Sequence, residues 1–492
     1  VKRSIPVALA AALLLSTSAV PAATVKTPEP QTISQQQTEE LYTSYGYLLS
    51  DFYKKVDPQT TLNGAHDGLI QYLKANKVVN PTLPALHATG DDDANRQALR
   101  REVDRAVTLY AKDLKTVENL SPSTQLTYAA IAGTLASVKD RYTTFLSPAE
   151  FAALNDGLDG TAFGGVGISY SVDQKTNALH VESVIIDGPS DKAGLQADDE
   201  ITAVDGKTIA SAIAGTLSEK DEQKRLPLQQ TIVTKLLRGE PGSKVTLTID
   251  RAGKQLDPVQ ITRAEIKPPS VTAKLLPNGI GYVDLAVFGQ NTGHELDAAL
   301  KRLDSEGAKA YVLDLRRNGG GYLNAAVDVS SKFIASGPIV SVQSRAGTDT
   351  EYDAENDAIA PRPLAVLVDQ YTASASEITA GAIQDSGVGT IIGVKTFGKG
   401  VVQSIWSLRD GSAIKITTAR YLTPKGRDIN HLGIAPQIES AIPKTLTGRW
   451  FGDPKTDPQL MSALTFLDGR LAQLSPTTAA VAPPTPTSAP QN

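Results

Sequence analysis

Three textures of apolar patterning succeed one another along the chain. Between residues 38 and 154 the apolar positions recur at helical spacing. Leu41, Tyr45, Leu48, Leu49 and Phe52 fall three or four apart, and Val103, Ala106, Val107 and Tyr110 repeat the pattern after a loop marked by Asp91, Asp92 and Asp93. This spacing predicts helices, with the polar patch from His87 to Asn95 in solvent. From Phe163 to about Arg251 short runs take over: GGVGISYSV (164–172), ALHVESVI (178–185), EITAVDG (200–206) and KVTLTID (244–250) read as strands, with one helix over 226–237. From 261 to 442 the runs IGYVDLAVF, AYVLDL, LAVLVD, TIIGV and AIKITTARYL alternate with helical stretches over 293–306 and 325–334. Strands alternating with helices predict an α/β layer structure.

The two ends differ from all three. Lys2 and Arg3 precede an apolar run over 5–15 and the small residues Ser18, Ala19, Val20, Pro21 and Ala22, the order of a secretory signal cleaved after Ala22 or Ala23. The run falls short of the ~20 residues that span a bilayer, which disfavours an uncleaved anchor. The tail from Ser475 is rich in Pro, Thr, Ala and Ser and is expected to be disordered. The expected organisation is a signal segment (1–23), a helical region (24–155), a β-rich module (156–255), an α/β core with a mixed sheet (256–445), a helical extension (446–474) and a tail (475–492). The fold class is multidomain α/β (α+β).

Composition narrows the chemistry. With 492 residues, 41% hydrophobic and 21% charged, the chain is long enough for several buried cores. A net charge of −5 without a basic block argues against nucleic acid as a partner. There is no cysteine, so thiol nucleophiles, thiolate zinc sites and disulfides are excluded. The five histidines, at 66, 87, 180, 294 and 431, form no metal motif. Only His431, in the RDINHLG loop, lies near other candidate chemistry.

Two segments carry that chemistry. In VDQYTASASEITAGAIQD (368–385) an apolar strand gives way to small polar residues and a helix, and Ser374 with Glu377 forms an S-x-x-E capping box. Ser374 reads as a helix cap, the commoner case, or as a nucleophile placed where free amides and the positive helix end meet a developing oxyanion. In KTFGKGVVQ (395–403), Gly393 to Lys399 imitates the start of a phosphate-binding loop, but Gly400 stands where Ser or Thr must hold magnesium. The run beyond it, VVQSIWSLRDGSAIKI (401–416), reads as a hairpin turning at Asp410 and Gly411, not as a helix. Lys399 is then an exposed turn lysine or a general base. The second role needs a shift of ~3 units from the ordinary lysine value, roughly 4 kcal/mol, supplied by burial. Phe397, Val401 and Val402 are the apolar neighbours that the sequence offers for it.

Taken in order, these segments resemble the C-terminal processing (tail-specific) peptidases, a serine protease family with a Ser–Lys dyad and a PDZ module. The resemblance runs from about 135 to 440 and rests on DRYTTFLSPAEF (140–151), GGVGI (164–168), GPSDKAGLQADDEITAVDGKTI (188–209), GIGYVDLAVF (279–288), DLRRNGGG (314–321), TASASE (372–377) and TFGKGVVQ (396–403). It implies Ser374 as nucleophile, Lys399 as base and Gln403 as a residue that orients the lysine; residues four apart share a face of a strand, so these two are neighbours if the strand begins early. It implies an oxyanion hole from the backbone of Ala375 and of Gly320 or Gly321. Gly165, Val166, Gly167 and Ile168 would hold a substrate C-terminus in the PDZ-like module, and Arg238 would couple that module to the protease or stand as a solvated turn residue. Two departures are visible: Gly319 where a proline is common, and Thr372 for a serine. The implied activity is that of an exported endopeptidase, periplasmic, envelope-bound or extracellular. It acts on proteins or peptides with accessible C-termini and needs no metal or cofactor. The implied mature chain has no membrane span and is compatible with a homo-oligomer. A catalytically silent PDZ scaffold is the alternative.

Overall fold

The computed structural model describes residues 32–443 and 452–474, apart from short breaks at 118, 161, 174, 186–187, 197, 219–221, 268 and 348. The signal segment and the tail expected from the sequence lie outside the described residues.

The helical spacing at the N-terminus forms α1 (Gln35–Asp51), α2 (Pro58–Ala75), α3 (Asp92–Tyr110) and α4 (Pro122–Ala136). Ser34, Asp57, Asp91 and Ser121 cap them, each accepting a first-turn amide from an extended backbone conformation. Helices α2 and α4 approach closely because Gly68 and Gly133 face each other, where an added Cβ on either would meet the other's Cα at 2.7 Å. The polar patch is in solvent at His87 and at Asp91 to Asp93, but Asn95 is buried. Its side chain accepts from Thr89 N–H (2.7 Å) and donates to Thr89 O (3.0 Å), which satisfies it without water. Strand β1 (Thr144–Leu146) and helix α5 (Pro148–Asp159) lead out of this region.

The short runs of the second texture form β2 (Phe163–Gly165), β3 (Ile168–Val172), β4 (Leu179–Val184), α6 (Pro189–Lys192), β5 (Glu200–Val204), β6 (Lys207–Thr208), α7 (Ile209–Ile213), α8 (Glu222–Leu237), β7 (Lys244–Arg251), β8 (Lys254–Gln255) and β9 (Val259–Thr262). One sheet runs β3-β4-β5-β7-β8, with β6 on β5 and β9 on β7. Its buried face packs Leu179, Val181, Ile201 and Leu247 against Ile209 and Val233. The chain leaves through β10 (Ala264–Ile266), which pairs antiparallel with β2, so entry and exit form one two-stranded ribbon.

The last block contains β11 (Val271–Leu276), β12 (Ile280–Leu285), α9 (Thr292–Ser305), β13 (Ala310–Asp314), α10 (Leu323–Ser331), β14 (Pro338–Ser344), β15 (Asp349–Asp353), β16 (Leu364–Val368), α11 (Ala375–Ser386), β17 (Thr390–Gly393), β18 (Val401–Ser407), β19 (Ala413–Leu422), β20 (Ile438–Glu439) and α12 (Pro458–Leu474). Its main sheet is ordered β11-β12-β13-β16-β17-β20 and is parallel except for β11. Val283, Leu313, Val366 and Ile391 face one core with α9, α10 and α11. Ile280, Val312, Ala365, Leu367 and Ile392 face a second with Leu460, Ala463 and Leu467 of α12. Burial on both faces is why these strands read as continuous apolar runs. In a second sheet β18 pairs along one edge of β19, β1 and β14 pair with the other edge at residues 413–415 and 419–422, and β15 pairs with β14. The β18–β19 hairpin turns at Asp410 and Gly411, and Leu408, Ile414 and Ile416 enter the core of the N-terminal helices.

Candidate active site

Parallel sheets bind their ligands beyond the carboxyl ends of the strands, and that is where the candidate residues lie. Strand β16 ends at Val368, the chain then reaches Ser374 through a short loop, and α11 starts at Ala375. Ser34, Ser121 and Ser147 cap their helices at φ −67°, −65° and −60°. Ser374 stands at φ 58°, ψ −119°, a left-handed conformation that costs a non-glycine residue roughly 1–3 kcal/mol. An ordinary cap needs no such strain. The surroundings hold it: Ala373 N–H donates to Asn318 O (3.0 Å), Thr372 Oγ1 to Leu315 O (2.8 Å), and Ser374 N–H to Glu377 Oε2 (2.9 Å). In return Glu377 N–H bonds to Ser374 O at 2.8 Å.

Glu377 is fully buried and reaches further than a capping box requires. Its Oε2 also accepts Lys399 N–H (2.8 Å), and its Oε1 accepts Gly398 N–H (2.7 Å) and Thr396 Oγ1–H (2.6 Å). One carboxylate oxygen thus binds the amides of both Ser374 and Lys399. Tyr421 joins the same two residues from the other side, its hydroxyl 2.5 Å from Lys399 O and 3.1 Å from Ser374 O. The flanking glycines of the GKG turn are needed for close approach: a Cβ on Gly398 would meet Gly433 N at 2.9 Å, and one on Gly400 would meet Asn430 N at 2.6 Å. The loop that presses on them is the His431 loop, whose backbone N–H donates to Gly398 O (2.8 Å) while its imidazole is exposed. The turn leads into a strand, so the phosphate-loop likeness ends there.

Lys399 is half-buried. Burial first, and then the nearby ammonium of Lys415, lower its pKa to about 8; Glu377 and Asp140 oppose the shift and Arg141 adds to it. At pH 7 roughly a tenth of the amine is neutral at that value. The drying residues differ in part from those the sequence offered. Phe397 is 45% exposed, whereas the Tyr142 ring, far back in the sequence, lies 5.0 Å from Lys399 Nζ. The strand expected to carry Lys399 and Gln403 on one face begins only at Val401 and has a bulge between Val402 and Gln403. The four-residue rule therefore does not relate the two. Gln403 instead faces its cross-strand partner Thr417, Nε2 to Oγ1 at 3.5 Å, the long limit of a hydrogen bond.

The DLRRNGGG segment packs against Ser374. A Cβ on Gly320 would meet Ser374 Cβ at 2.8 Å and Ala375 N at 2.9 Å. Gly320 N–H donates to Asn318 Oδ1 (2.9 Å). The bridge from this loop to Phe288 uses Gly320 O and Tyr322 N–H, leaving the Gly321 amide out of it. Ala375 N–H is the first amide of α11, which has no partner within the helix.

Residues 279–440 match the peptidase family S41 profile, and residues 164–259 that of the PDZ domain. The chain is 36% identical over 351 residues to a carboxyl-terminal-processing protease of a Synechocystis species, spanning 70% of this chain and 78% of that one. This chain belongs to peptidase family S41. A carboxy-terminal-processing protease of Bartonella bacilliformis is likewise 36% identical over 364 residues, covering 72% and 79% of the two chains. Among solved structures, a photosystem II D1 C-terminal processing protease is 29% identical, with a TM-score of 0.42 over 83% of this chain and 93% of that one. As an S41 member the protein is a serine-type peptidase with a PDZ domain.

The S41 core brings Ser374, Ala375, Lys399, Gly320 and Gly321 to one edge. The residues that the resemblance offers for tail binding lie in the PDZ domain. There Val166 O accepts Ser190 N–H (3.0 Å) and Oγ–H (2.7 Å), Gly167 O accepts Ile185 N–H (3.0 Å), Gly165 pairs with Ala264, and Ile168 opens β3. Arg238 stacks on Phe163 with its guanidinium carbon 3.7 Å from the ring centre, at the ribbon where the chain enters the domain. Glu377, Tyr421, Lys415 and Tyr142 were not singled out from the sequence as site residues. Only Glu377 carried a signal there, as the partner in a capping box.

Proposed function

We propose that this S41 peptidase is an exported endopeptidase that cleaves peptide bonds by acyl transfer, with Ser374 as nucleophile and Lys399 as general base, and selects its substrates by their C-termini through the PDZ domain. The observation that carries the reading is the double tie between the two residues, through one Glu377 oxygen and the Tyr421 hydroxyl, at a serine held in a strained turn. Neutral Lys399 takes the hydroxyl proton as Ser374 Oγ attacks the scissile carbonyl carbon. The oxyanion is received by the amides of Ala375 and Gly321; Gly320 is the weaker candidate because its proton is engaged by Asn318. The Lys399 ammonium then protonates the leaving amine as the C–N bond breaks. Water, deprotonated by the same amine, hydrolyses the acyl-enzyme and restores Ser374. Gln403 acts in the same site as an orienting residue, its amide set by Thr417.

Export is supported by the charged, apolar and small-residue order of residues 2–22. Among the described residues no helix is long and apolar enough to cross a membrane. Tail selection is supported by the PDZ match, the Gly165 to Ile168 turn and the names of the two curated relatives. Coupling of that domain to the core through Arg238 is supported by its stack on the entry ribbon.

A fluorophosphonate probe tests the core of this reading. Wild-type protein is expected to be labelled and to cleave peptide. Ser374→Ala should do neither, with a melting temperature changed by no more than a cap substitution of about 1 kcal/mol allows. Unlabelled, inactive wild-type protein would favour the silent scaffold; a cleaving alanine variant would reduce Ser374 to a cap.

A further inference from the structure

The N-terminal helices have no role in the proposed acyl transfer, yet they touch the catalytic strands on two levels. On one face of the β18–β19 hairpin, Ile414 and Ile416 are buried in the helical core, Tyr47 stacks on Trp406 with ring centres 4.6 Å apart, and Tyr53 N–H donates to Thr417 O (2.9 Å). The other contact comes from residues 140–143, the turn that leaves the helical region for β1. Asp140 Oδ2 accepts from Thr143 Oγ1 (2.7 Å) and from Thr417 Oγ1 (2.5 Å), and Thr417 N–H donates to Thr143 Oγ1 (3.1 Å). The two bonds from Thr417 rivet the turn to β19 opposite Gln403, and the bond between Thr143 and Asp140 braces it internally. The turn in its riveted position sets the Tyr142 ring 5.0 Å from Lys399 Nζ. Arg141 lies over Tyr142 and Phe397, 4.6 Å and 4.9 Å from the ring centres, and donates to the Tyr142 hydroxyl.

We propose that Asp140 is a positioning residue for peptide hydrolysis: by fixing the 140–143 turn on Thr417 it holds Tyr142 as the roof that keeps water from the Lys399 amine. The inference rests on Lys399 being the base. Tyr142 covers the amine from the N-terminal side, Lys415 flanks it from β19 and Glu377 from α11, Arg141 and Asp140 stand behind the roof, and Tyr421 holds the lysine backbone. Desolvation is the largest cause of the lowered lysine pKa, and the direct charge effect of Asp140 is smaller and opposite in sign. Loss of the roof therefore moves the lysine up, whereas loss of the Asp140 charge with the roof intact does not. The sequence contains the turn as DRYT (140–143) but gives no means of seeing that it ends at a lysine more than 250 positions away.

The test is the pH profile of kcat/KM on an unstructured peptide, using the full chain. Asp140→Ala and Tyr142→Ala should move the acid limb up by about one pH unit. Activity then falls roughly tenfold at pH 7 and recovers to within about twofold near pH 10, where any such amine is largely neutral. Asp140→Asn keeps an acceptor oxygen for the two threonines, and Tyr142→Leu keeps a bulky apolar cover, so neither should move the limb upward. If Asp140→Ala fails to fold, the two Tyr142 variants decide alone. Alanine variants that lose activity evenly across pH, with the wild-type midpoint, overturn the proposal and leave only a structural role. Lys399→Ala separates the two levels. If it retains turnover, or if wild-type protein shows no limb near 8, the lysine-base reading fails and this one with it. If that limb exists and Lys399→Ala is inactive, unmoved alanine variants sink this proposal alone.

Discussion

An amine can accept a proton only when it has none to hold, so the proposed role of Lys399 fixes the direction of its pH dependence. The lysine pKa is lowered, to about 8; below that value the charged form dominates and above it the neutral base does. kcat/KM is therefore expected to rise about tenfold per pH unit below 8 and to level off above it. Lys399→Arg should lose about 10²–10⁴-fold at every pH, because a guanidinium stays protonated. A profile flat from pH 6 to 9, or an arginine variant within tenfold of wild type, would exclude the role. Ser374 and Lys399 stood out as candidates because each sits in a short run with a local signal, a serine before a helix and a lysine between glycines, while the roles proposed for them rest on the family resemblance. Glu377 was legible only as a cap partner. Its bonds to Thr396, Gly398 and Lys399 depend on a loop 19 to 22 residues on folding back over α11. Lys415 and Tyr142 carried no local signal, since Lys415 reaches the amine through the pairing of β19 and Tyr142 through a turn fixed on Thr417.

Elements were readable where burial is simple. β13 and β16 are buried at every position because helices cover both sheet faces, and they appear in the sequence as unbroken apolar runs. Faces failed where regularity fails. β18 starts two residues after Lys399 and bulges before Gln403, so the condition under which a rule for ideal strands would pair them is not met. The PDZ turn is intermediate: its strands were legible, but the pairing of β2 with β10 that links the domain to the core was not. That turn carries an element-scale prediction. If the amides between Gly165 and Ile168 receive a free carboxylate, amidating a substrate's C-terminus removes the bound charge and leaves the scissile region unchanged. KM for long substrates should rise, by about tenfold for the loss of one charge-assisted contact of roughly 1.5 kcal/mol, while short peptides that cannot span both sites change little. Equal cleavage of acid and amide forms across several C-terminal sequences would mean that the turn does not read tails.

At the scale of the whole molecule, the oxyanion loop depends on the far end of the chain. Arg316, four residues before Gly320, is buried with its guanidinium between two carboxylates. Its Nε and Nη2 donate to Asp314 (2.9 Å and 2.6 Å to Oδ1 and Oδ2), and its Nη1 and Nη2 donate to Asp457 (2.9 Å and 2.7 Å). Asp457 precedes Pro458, the first residue of α12, and also accepts the amides of Gln459 and Leu460 at 3.1 Å. One side chain therefore caps the last helix and neutralises an arginine beside the loop that carries the proposed oxyanion donor. Breaking a buried pair by removing one partner costs about 3–5 kcal/mol, because the remaining charge loses its compensation. Here Asp314 stays in place, so the lower end applies, together with about 1 kcal/mol for the lost cap. Asp457→Ala is expected to lower the melting temperature by roughly 5–10 °C. It should also lower kcat more than it raises KM, since a loosened loop weakens oxyanion binding before it weakens substrate docking. Asp457→Asn keeps the capping oxygen without the charge and should fall between alanine and wild type in both measurements. A melting temperature within a degree of wild type for the alanine variant would mean that α12 is held by Leu460, Ala463 and Leu467 alone. An unchanged kcat alongside a lowered melting temperature would confine Asp457 to stability and uncouple the C-terminal helix from the reaction.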